Sequence, residues 1–454
     1  MKKYDAIVIG SGIGGLAAAL QMAHSGRKTV VLEKNHLFGG RLSSYKKEGF
    51  TLDIGVHVIS RGAKGPATQC LARCGIENAL KFTNIRPIVC FEGKTFKFPH
   101  DLKDMVPAED FEALMKFMRD AKSFTQEEIA ELDKITEKEL LSRYTANETL
   151  HTCVSRIGSV YCALPSWLES AGEFVRCLTW EAEAKSSGYP MGGCISITNA
   201  YIDGIKKFGG EVLNNMPVER IIVENNRAVG VIAGGQEYRA DIIASNADIR
   251  NTVLKLAGAA HFPPDYVEYV SKLTYSWAGP VMRIALDQPI TDIKMLSQFG
   301  EIGQEQYYEK IRRGVMPKYL NIFLVVPSNF DPETAPPGRQ LIAVATPLPT
   351  DTPTELTPKI QEAVLNTVET FVPELRKHIM WIDSMDIQAM AAIAGEDGCV
   401  IGVGQTPGQT GADRPKIKTP LAGLYIVGGE AGGSGVGIEN SINSAMNFFD
   451  LLNN

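Results

Sequence analysis

The sequence predicts an α/β fold founded on a Rossmann-type dinucleotide-binding unit, and three observations near its start predict it. A short β-branched run, Tyr4-Asp5-Ala6-Ile7-Val8-Ile9, stops at the turn Gly10-Ser11-Gly12-Ile13-Gly14-Gly15. Residues 16–25 then offer Leu16, Ala17, Ala19, Leu20 and Ala23 as a small-residue helical face, with Gly26 as the stop. A second apolar strand, Thr29-Val30-Val31-Leu32, ends in Glu33.

Each part of this unit has a physical reason. Gly10 permits the tight turn, Gly12 lets the backbone approach a pyrophosphate, and Gly15 lets helix and strand pack closely. The N-terminus of that helix supplies free N–H groups and a positive dipole end for the phosphates. Glu33 falls eighteen residues after Gly15, the place of an acid that binds ribose hydroxyls. A glutamate there rather than an arginine favours an unphosphorylated ribose, so FAD or NAD is expected over NADP.

The 454 residues carry a formal charge of −6, with 44% hydrophobic and 22% charged residues. That composition allows one large domain or two interleaved ones, and it excludes disorder, collagen and coiled coil. Nucleic acid is not an expected partner at this charge. The eight cysteines form no C-x-x-C pair and read as reduced, buried thiols of a cytoplasmic protein. With no run of eighteen apolar residues and no basic-then-apolar leader, neither export nor an integral membrane segment is expected, and any membrane contact would be peripheral. None of the seven histidines pairs with another ligand at a recognised spacing, so no metal is expected.

Five further segments are informative. Lys34 is followed by Gly39-Gly40-Arg41-Leu42-Ser43 and then by Gly49-Phe50-Thr51-Leu52-Asp53-Ile54-Gly55-Val56-His57. Val218-Glu219-Arg220-Ile221 and Ala240-Asp241-Ile242-Ile243-Ala244-Ser245-Asn246-Ala247 stand in the middle. The far end carries Gly428-Gly429-Glu430-Ala431-Gly432-Gly433-Ser434-Gly435-Val436-Gly437-Ile438-Glu439-Asn440. Taken in order, these segments resemble the flavin-containing amine oxidase and phytoene desaturase superfamily, with its GG-R-x-x-S and G-[FY]-x-x-[DE]-x-G elements.

The resemblance implies FAD, held by Gly10, Gly12, Ile13, Gly14, Gly15, Glu33 and Lys34 at the nucleotide end and by Gly39, Gly40, Arg41, Gly55, Val56 and Val218 farther along. Arg41 would set a guanidinium against the pyrophosphate. Gly429 precedes Glu430, which would accept hydrogen bonds from the ribityl hydroxyls or cap the last helix. Residues 440–452 read as a helix whose N-terminus would aim positive charge at flavin N1 and the C2 carbonyl, with Val436, Gly437 and Ile438 along that edge. No cysteine lies near Glu430 in the chain, so noncovalent attachment is expected.

The implied FAD-binding domain is discontinuous, over 1–95, 190–260 and 410–454, interleaved with an α+β substrate-binding domain over 96–189 and 261–409. Within the latter, 101–150 is helical and acid-rich, with thirteen acidic against seven basic side chains, and Phe111, Leu114, Met115 and Met118 form a core stripe at helical spacing. Strand-like runs at 278–286 and 320–326 suit a sheet roofing the flavin.

Residues 435–439 lack the aromatics of an amine cage, whereas 53–57, 189–193 and 245–248 resemble the phytoene desaturase, carotenoid isomerase and retinol saturase branch. The implied activity is that of an FAD-dependent oxidoreductase acting by hydride transfer at flavin N5. It would desaturate, saturate or isomerise carbon–carbon bonds of an apolar, isoprenoid or polyene-like substrate, with an electron acceptor or donor that no motif identifies. Amine or amino-acid oxidation and a non-catalytic flavoprotein subunit are the alternatives. His57, the titratable side chain in the segment laid along the flavin, is the candidate proton donor; its other reading is a hydrogen bond that fixes the Gly55 turn.

Overall fold

The computed structural model describes residues 2–55, 58–85, 87–395 and 398–453. Five parallel strands form one sheet, in the order Glu211–Leu213, Thr29–Leu32, Ala6–Ile9, Ile242–Ser245, Leu424–Ile426. Ala6–Ile9 and Thr29–Leu32 are buried throughout, which is why both read as unbroken apolar runs. The helix between them is Ile13–His24, three residues longer at its start than the apolar pattern, because the motif's own Gly14 and Gly15 form its first turn. It packs with Ile195–Lys207 and the C-terminal helix Ile438–Asn453 on one face of the sheet, where Ala17, Ala18 and Ala19 permit close approach. An antiparallel meander, Val218–Glu224, Arg227–Ala233 and Gln236–Arg239, covers the other face through Val231 and Tyr238.

A second, mixed sheet has seven strands, in the order Ile379–Met385, Val281–Leu286, Gln340–Ala345, Ile322–Val325, Met295–Phe299, Ile88–Phe91, Lys94–Phe96. The two strand-like runs expected around 278–286 and 320–326 are both in it. Ile88–Phe91 runs parallel to Met295–Phe299 and pairs with Lys94–Phe96. The expected boundary at 95 is therefore corrected: residues 88–95 belong to this sheet, because Cys90 shares a core with Leu296 and Leu324, and Phe91 shares one with Phe299.

Helices Ala108–Asp120, Gln126–Leu132, Glu137–Leu141, Glu148–Cys162 and Ala171–Ala184 form a layer at one end of that sheet. Of the stripe expected on the first of them Leu114 is buried, with Phe111 and Met118 at its margin, while Phe117, outside that stripe, is the other buried residue in place of Met115. Thr125 and Thr136 each start a helix with a capping box. All eight cysteines are buried and unbridged. Among the described residues no helix is long and apolar enough to cross a membrane.

Two buried carboxyls meet within this layer. A Cβ on Gly158 would stand 2.2 Å from Glu169 Oε2 and 2.5 Å from Glu137 Oε2, so the glycine makes room for both. Burial pushes Glu137 up to about 8, and burial together with Glu137 raises Glu169 well above the carboxylate range. A carboxyl raised in the folded state binds more protons there than in the unfolded chain. Its stabilisation is complete below pH 4.5 and is lost as pH rises through about 8. Urea unfolding at pH 5 and pH 8.5 should therefore show the parent weakening with rising pH, and Glu137→Gln should flatten that slope. An unchanged slope would remove the pair as its source.

Candidate functional site

At the nucleotide end the glycines are fixed by close approach. A Cβ on Gly15 would stand 2.3 Å from the Gly10 carbonyl oxygen, one on Gly12 2.5 Å from Asn246 Oδ1, and one on Gly14 2.5 Å from Gly428 Cα. Helix Ile13–His24 starts with no side-chain cap, which leaves the N–H groups of its first turn for an anion. Glu33 is 4% exposed. Its Oε2 accepts from Ser11 N at 2.8 Å and Ser11 Oγ at 2.7 Å, and its Oε1 accepts from Asn35 N at 2.8 Å. Ser11, a free position in the motif, is thus the clamp that orients the acid. Met216 N donates to the Glu33 carbonyl at 2.7 Å, which carries the segment leading into Val218 to the same strand end. Lys34 is exposed and donates to the Ala392 carbonyl at 3.2 Å, directed at helix Ile387–Ala394 rather than at the glycine turn.

The second glycine pair lies against the first. Gly39, at φ 99°, bridges to Gly12, and a Cβ on Gly40 would stand 3.8 Å from Gly12 Cα. Arg41 follows, its Nη1 donating to the Cys399 carbonyl at 2.7 Å. Cys399 is near both Arg41 and Glu430 in space, though 31 residues from Glu430 in the chain, and sequence distance alone hides it. Burial pushes its thiol up to about 11, so it stays protonated and is a poor nucleophile for covalent attachment.

Glu430 is buried and accepts from Ile249 N at 3.3 Å. Burial and the neighbouring Asp248 push its carboxyl up to about 8, against the pull of Arg41 and Arg414. The Gly429 carbonyl accepts from Arg414 Nη2 at 2.5 Å. Val436 packs on the helical layer, Gly437 follows, and the last helix begins at Ile438, two residues before its expected start. In its first turn Glu439 accepts from Arg61 N at 3.0 Å and Arg61 Nε at 2.7 Å. The next residue, Asn440, is fully buried with neither amide atom partnered.

Val56 and His57 lie outside the described residues. Gly55, just before them, is half-buried and follows a firmly held pair. Arg283 Nε donates to the Asp53 carbonyl at 2.5 Å, and Nη2 donates to that of Ile54. The Asp53 carboxylate accepts from Ser44 Oγ at 2.5 Å, Cys194 N at 2.9 Å and Tyr189 OH at 2.8 Å. Arg283 was the missed residue here; a charge within the apolar run 281–286 was its signal.

The arrangement fits a bound dinucleotide. The glycine contacts leave a cradle that side chains would fill, the helix start offers uncapped donors, and the Asn440 amide is buried without a partner. Gly15→Val should push the helix off its strand, an overpacking cost of about 1–3 kcal/mol. Flavin affinity should drop by about tenfold or more, read as loss of yellow absorbance on dialysis. Full retention of flavin would contradict the cradle.

A model of the family described as flavin containing amine oxidoreductase matches residues 13–447. The chain is 25% identical to phytoene desaturase (lycopene-forming) of Pseudescherichia vulneris, over 96% of each chain. It is 28% identical to prolycopene isomerase of Daucus carota, over 76% of this chain and 61% of that protein. To all-trans-retinol 13,14-reductase of Danio rerio it is 27% identical, over 62% of this chain and 54% of that one. An oxidoreductase structure from Methanosarcina mazei shares the fold at TM-score 0.77 and 20% identity, covering 98% of this chain and 100% of that chain. A putrescine oxidase double mutant shares it at TM-score 0.74 and 14% identity, covering 100% of each. One family thus spans the chain from the first helix through the glycine segment at the end, and the chain belongs to it: a flavin-containing amine oxidoreductase with FAD as its cofactor.

Proposed function

We propose that this FAD-dependent oxidoreductase acts on carbon–carbon bonds of an apolar, polyene-like substrate lying between the flavin and the seven-stranded sheet. The observation that carries this is the character of the sheet face turned toward residues 53–55. Val281 packs there with Ile54 and Met390, and Met295 and Val325 pack with Tyr189 and Phe330. The acids beside it, Asp53 and Asp383, are both engaged: Asp53 as described, and Asp383 by Tyr45, Lys47 and Arg283. An ammonium substrate finds no free carboxylate on this face among the described residues. Trp180, the aromatic nearest Gly435, has Arg61 over its ring at 4.9 Å, so a cation of the protein already occupies the place an amine cage would offer. Relatives named for desaturation of phytoene, isomerisation of prolycopene and reduction of retinol support the same reading.

Bound FAD supplies a two-electron centre that takes or gives a hydride. The protein's part is to hold and enclose. Glu33 and Ser11 would orient the ribose, Arg41 the pyrophosphate and Glu430 the ribityl chain, while Arg283 fixes the backbone leading to Gly55. We assign proton delivery to one carbon of the reacting double bond to His57, on its place in the sequence beside Gly55. The FAD-binding unit would comprise the N-terminal segment up to residue 84 with 190–260 and 410–454. The unbridged thiols support a reducing, cytoplasmic setting.

Anaerobic mixing separates the candidate reactions. A polyene such as phytoene should bleach the oxidised flavin, or retinol should recolour the dithionite-reduced flavin, while putrescine should do neither. Bleaching by the amine without any response to a polyene would overturn the proposal. In the productive half-reaction, His57→Gln should slow the rate by about 100-fold or more and abolish its pH dependence at unchanged flavin content. A variant with the parent's rate and pH profile would end the proton-donor assignment.

A further inference from the structure

Three arginines among the described residues are buried with almost no exposure, and two of them are held by hydrogen bonds, with only Nε of Arg414 left unpartnered. Arg283 donates to the carbonyls of Asp53 and Ile54 and pairs with Asp383; Arg414 donates to the carbonyls of Val403, Gln409 and Gly429. Arg156 is the third. It sits mid-way along helix Glu148–Cys162, 1% exposed, and makes no hydrogen bond or ion pair among the described residues. Its Nε and Nη2 are both buried and unpartnered. These two atoms lie on one edge of the guanidinium, the edge that presents two parallel N–H groups to a carboxylate.

The surroundings repeat the same signal. Thr152, one turn earlier on the same helix face, has a buried hydroxyl with no partner. Strand Met295–Phe299 packs on this helix, and on it Ser297 Oγ is likewise buried and unpartnered. The ionisable groups that act on Arg156 are Tyr307 and Tyr308, and both phenols are taken, by Asn321 N at 2.7 Å and Asn321 Nδ2 at 3.0 Å. Among the described residues no acid offsets its burial. Tyr308 meets Trp277 at 4.6 Å between ring centroids, and Trp277 meets Trp167 at 6.0 Å, so an aromatic wall borders the polar spot. Trp277 N donates to the Ala163 carbonyl at 2.8 Å, which ties the end of this helix to the chain entering strand Val281–Leu286.

A buried guanidinium without a counter-charge is costly, and its unpaired edge is matched by a planar anion. We infer that Arg156 anchors the carboxylate end of a long apolar acid whose chain runs along the sheet face. The inference rests on the apolar-substrate reading above and names the polar end of that substrate. One positive charge balances one negative charge, with Thr152 and Ser297 as further donors. A diphosphate would bring excess negative charge into the same dry site, with no lysine or second arginine among the described residues that act on Arg156.

The test uses the FAD-loaded full chain and equilibrium dialysis with all-trans-retinoate and its methyl ester. The parent should hold the acid about tenfold or more tighter than the ester, the worth of a charged hydrogen-bonded pair. Arg156→Gln should bring the two affinities together at unchanged flavin content, and Arg156→Lys, which keeps the charge without the fork, should leave an intermediate preference. A parent that does not prefer the acid, or a preference that survives in Arg156→Gln, overturns the assignment. If Arg156→Gln does not fold, the lysine variant and the parent's acid-to-ester ratio decide. Equal binding of acid and ester overturns the anchor alone and leaves the apolar-substrate reading standing; binding of neither overturns both.

Discussion

The carboxylate of Asp53 is the point on which the segment leading to Gly55 depends. It accepts three hydrogen bonds from three different places, Ser44 on the adjacent strand, the Cys194 amide at the start of a helix and the Tyr189 hydroxyl. Its own carbonyl accepts from Arg283, on the seven-stranded sheet. Hydrogen bonds to a buried charge are worth roughly 1.5–3 kcal/mol each, and an acid that loses them is left desolvated. Residues 53–55 are therefore held by side chain and main chain together, and the backbone running into Gly55 takes its place from both units of the protein. A shift in the sheet would be felt at Gly55.

The opposite edge is fastened in a corresponding way. Glu173, fully buried in the helical layer, accepts from Gly435 N at 2.6 Å and Gln405 Nε2 at 2.7 Å through one oxygen, and from Arg176 at 3.0 Å through the other. Arg61 and Glu439 add a second tie between residues near Ile59 and the first turn of the last helix. The glycine segment 428–437 has few side chains with which to hold itself, so its shape is imposed by acids and arginines donated from elsewhere. That suits a backbone that must approach a cofactor closely.

What the sequence reveals divides along the same line. The turn at Gly10–Gly15, the strand pair around it and Glu33 are contiguous or at a fixed spacing, and each carries its own periodicity. They were readable for that reason. Ser11 was not, because a serine in a variable position acquires meaning only from the carboxylate it meets 22 residues later. Arg283 and Asp53 are 230 residues apart, and the strand Ile88–Phe91 finds its partner at Met295–Phe299. No local pattern records such pairings. The stripe on Ala108–Asp120 shows the finer limit: its face was readable, but Phe117 rather than Met115 forms its centre, because the packing of Tyr144 and Phe174 decides which residue goes deepest.

These ties also say something about motion. Two units joined by a small polar interface ordinarily move against one another. Here the chain passes between them several times, since strands from residues 6–32, 211–213, 242–245 and 424–426 share one sheet while 88–96 and 281–385 share the other. The seam is closed by charged hydrogen bonds at both edges, from Arg283 on one side and Glu173 on the other. Opening it would expose Asp53, Arg283 and Glu173 at once, three groups whose partners lie across the seam. On the proposed apolar-substrate reading, access would run along the sheet face, because separating the two sheets would break these charged hydrogen bonds.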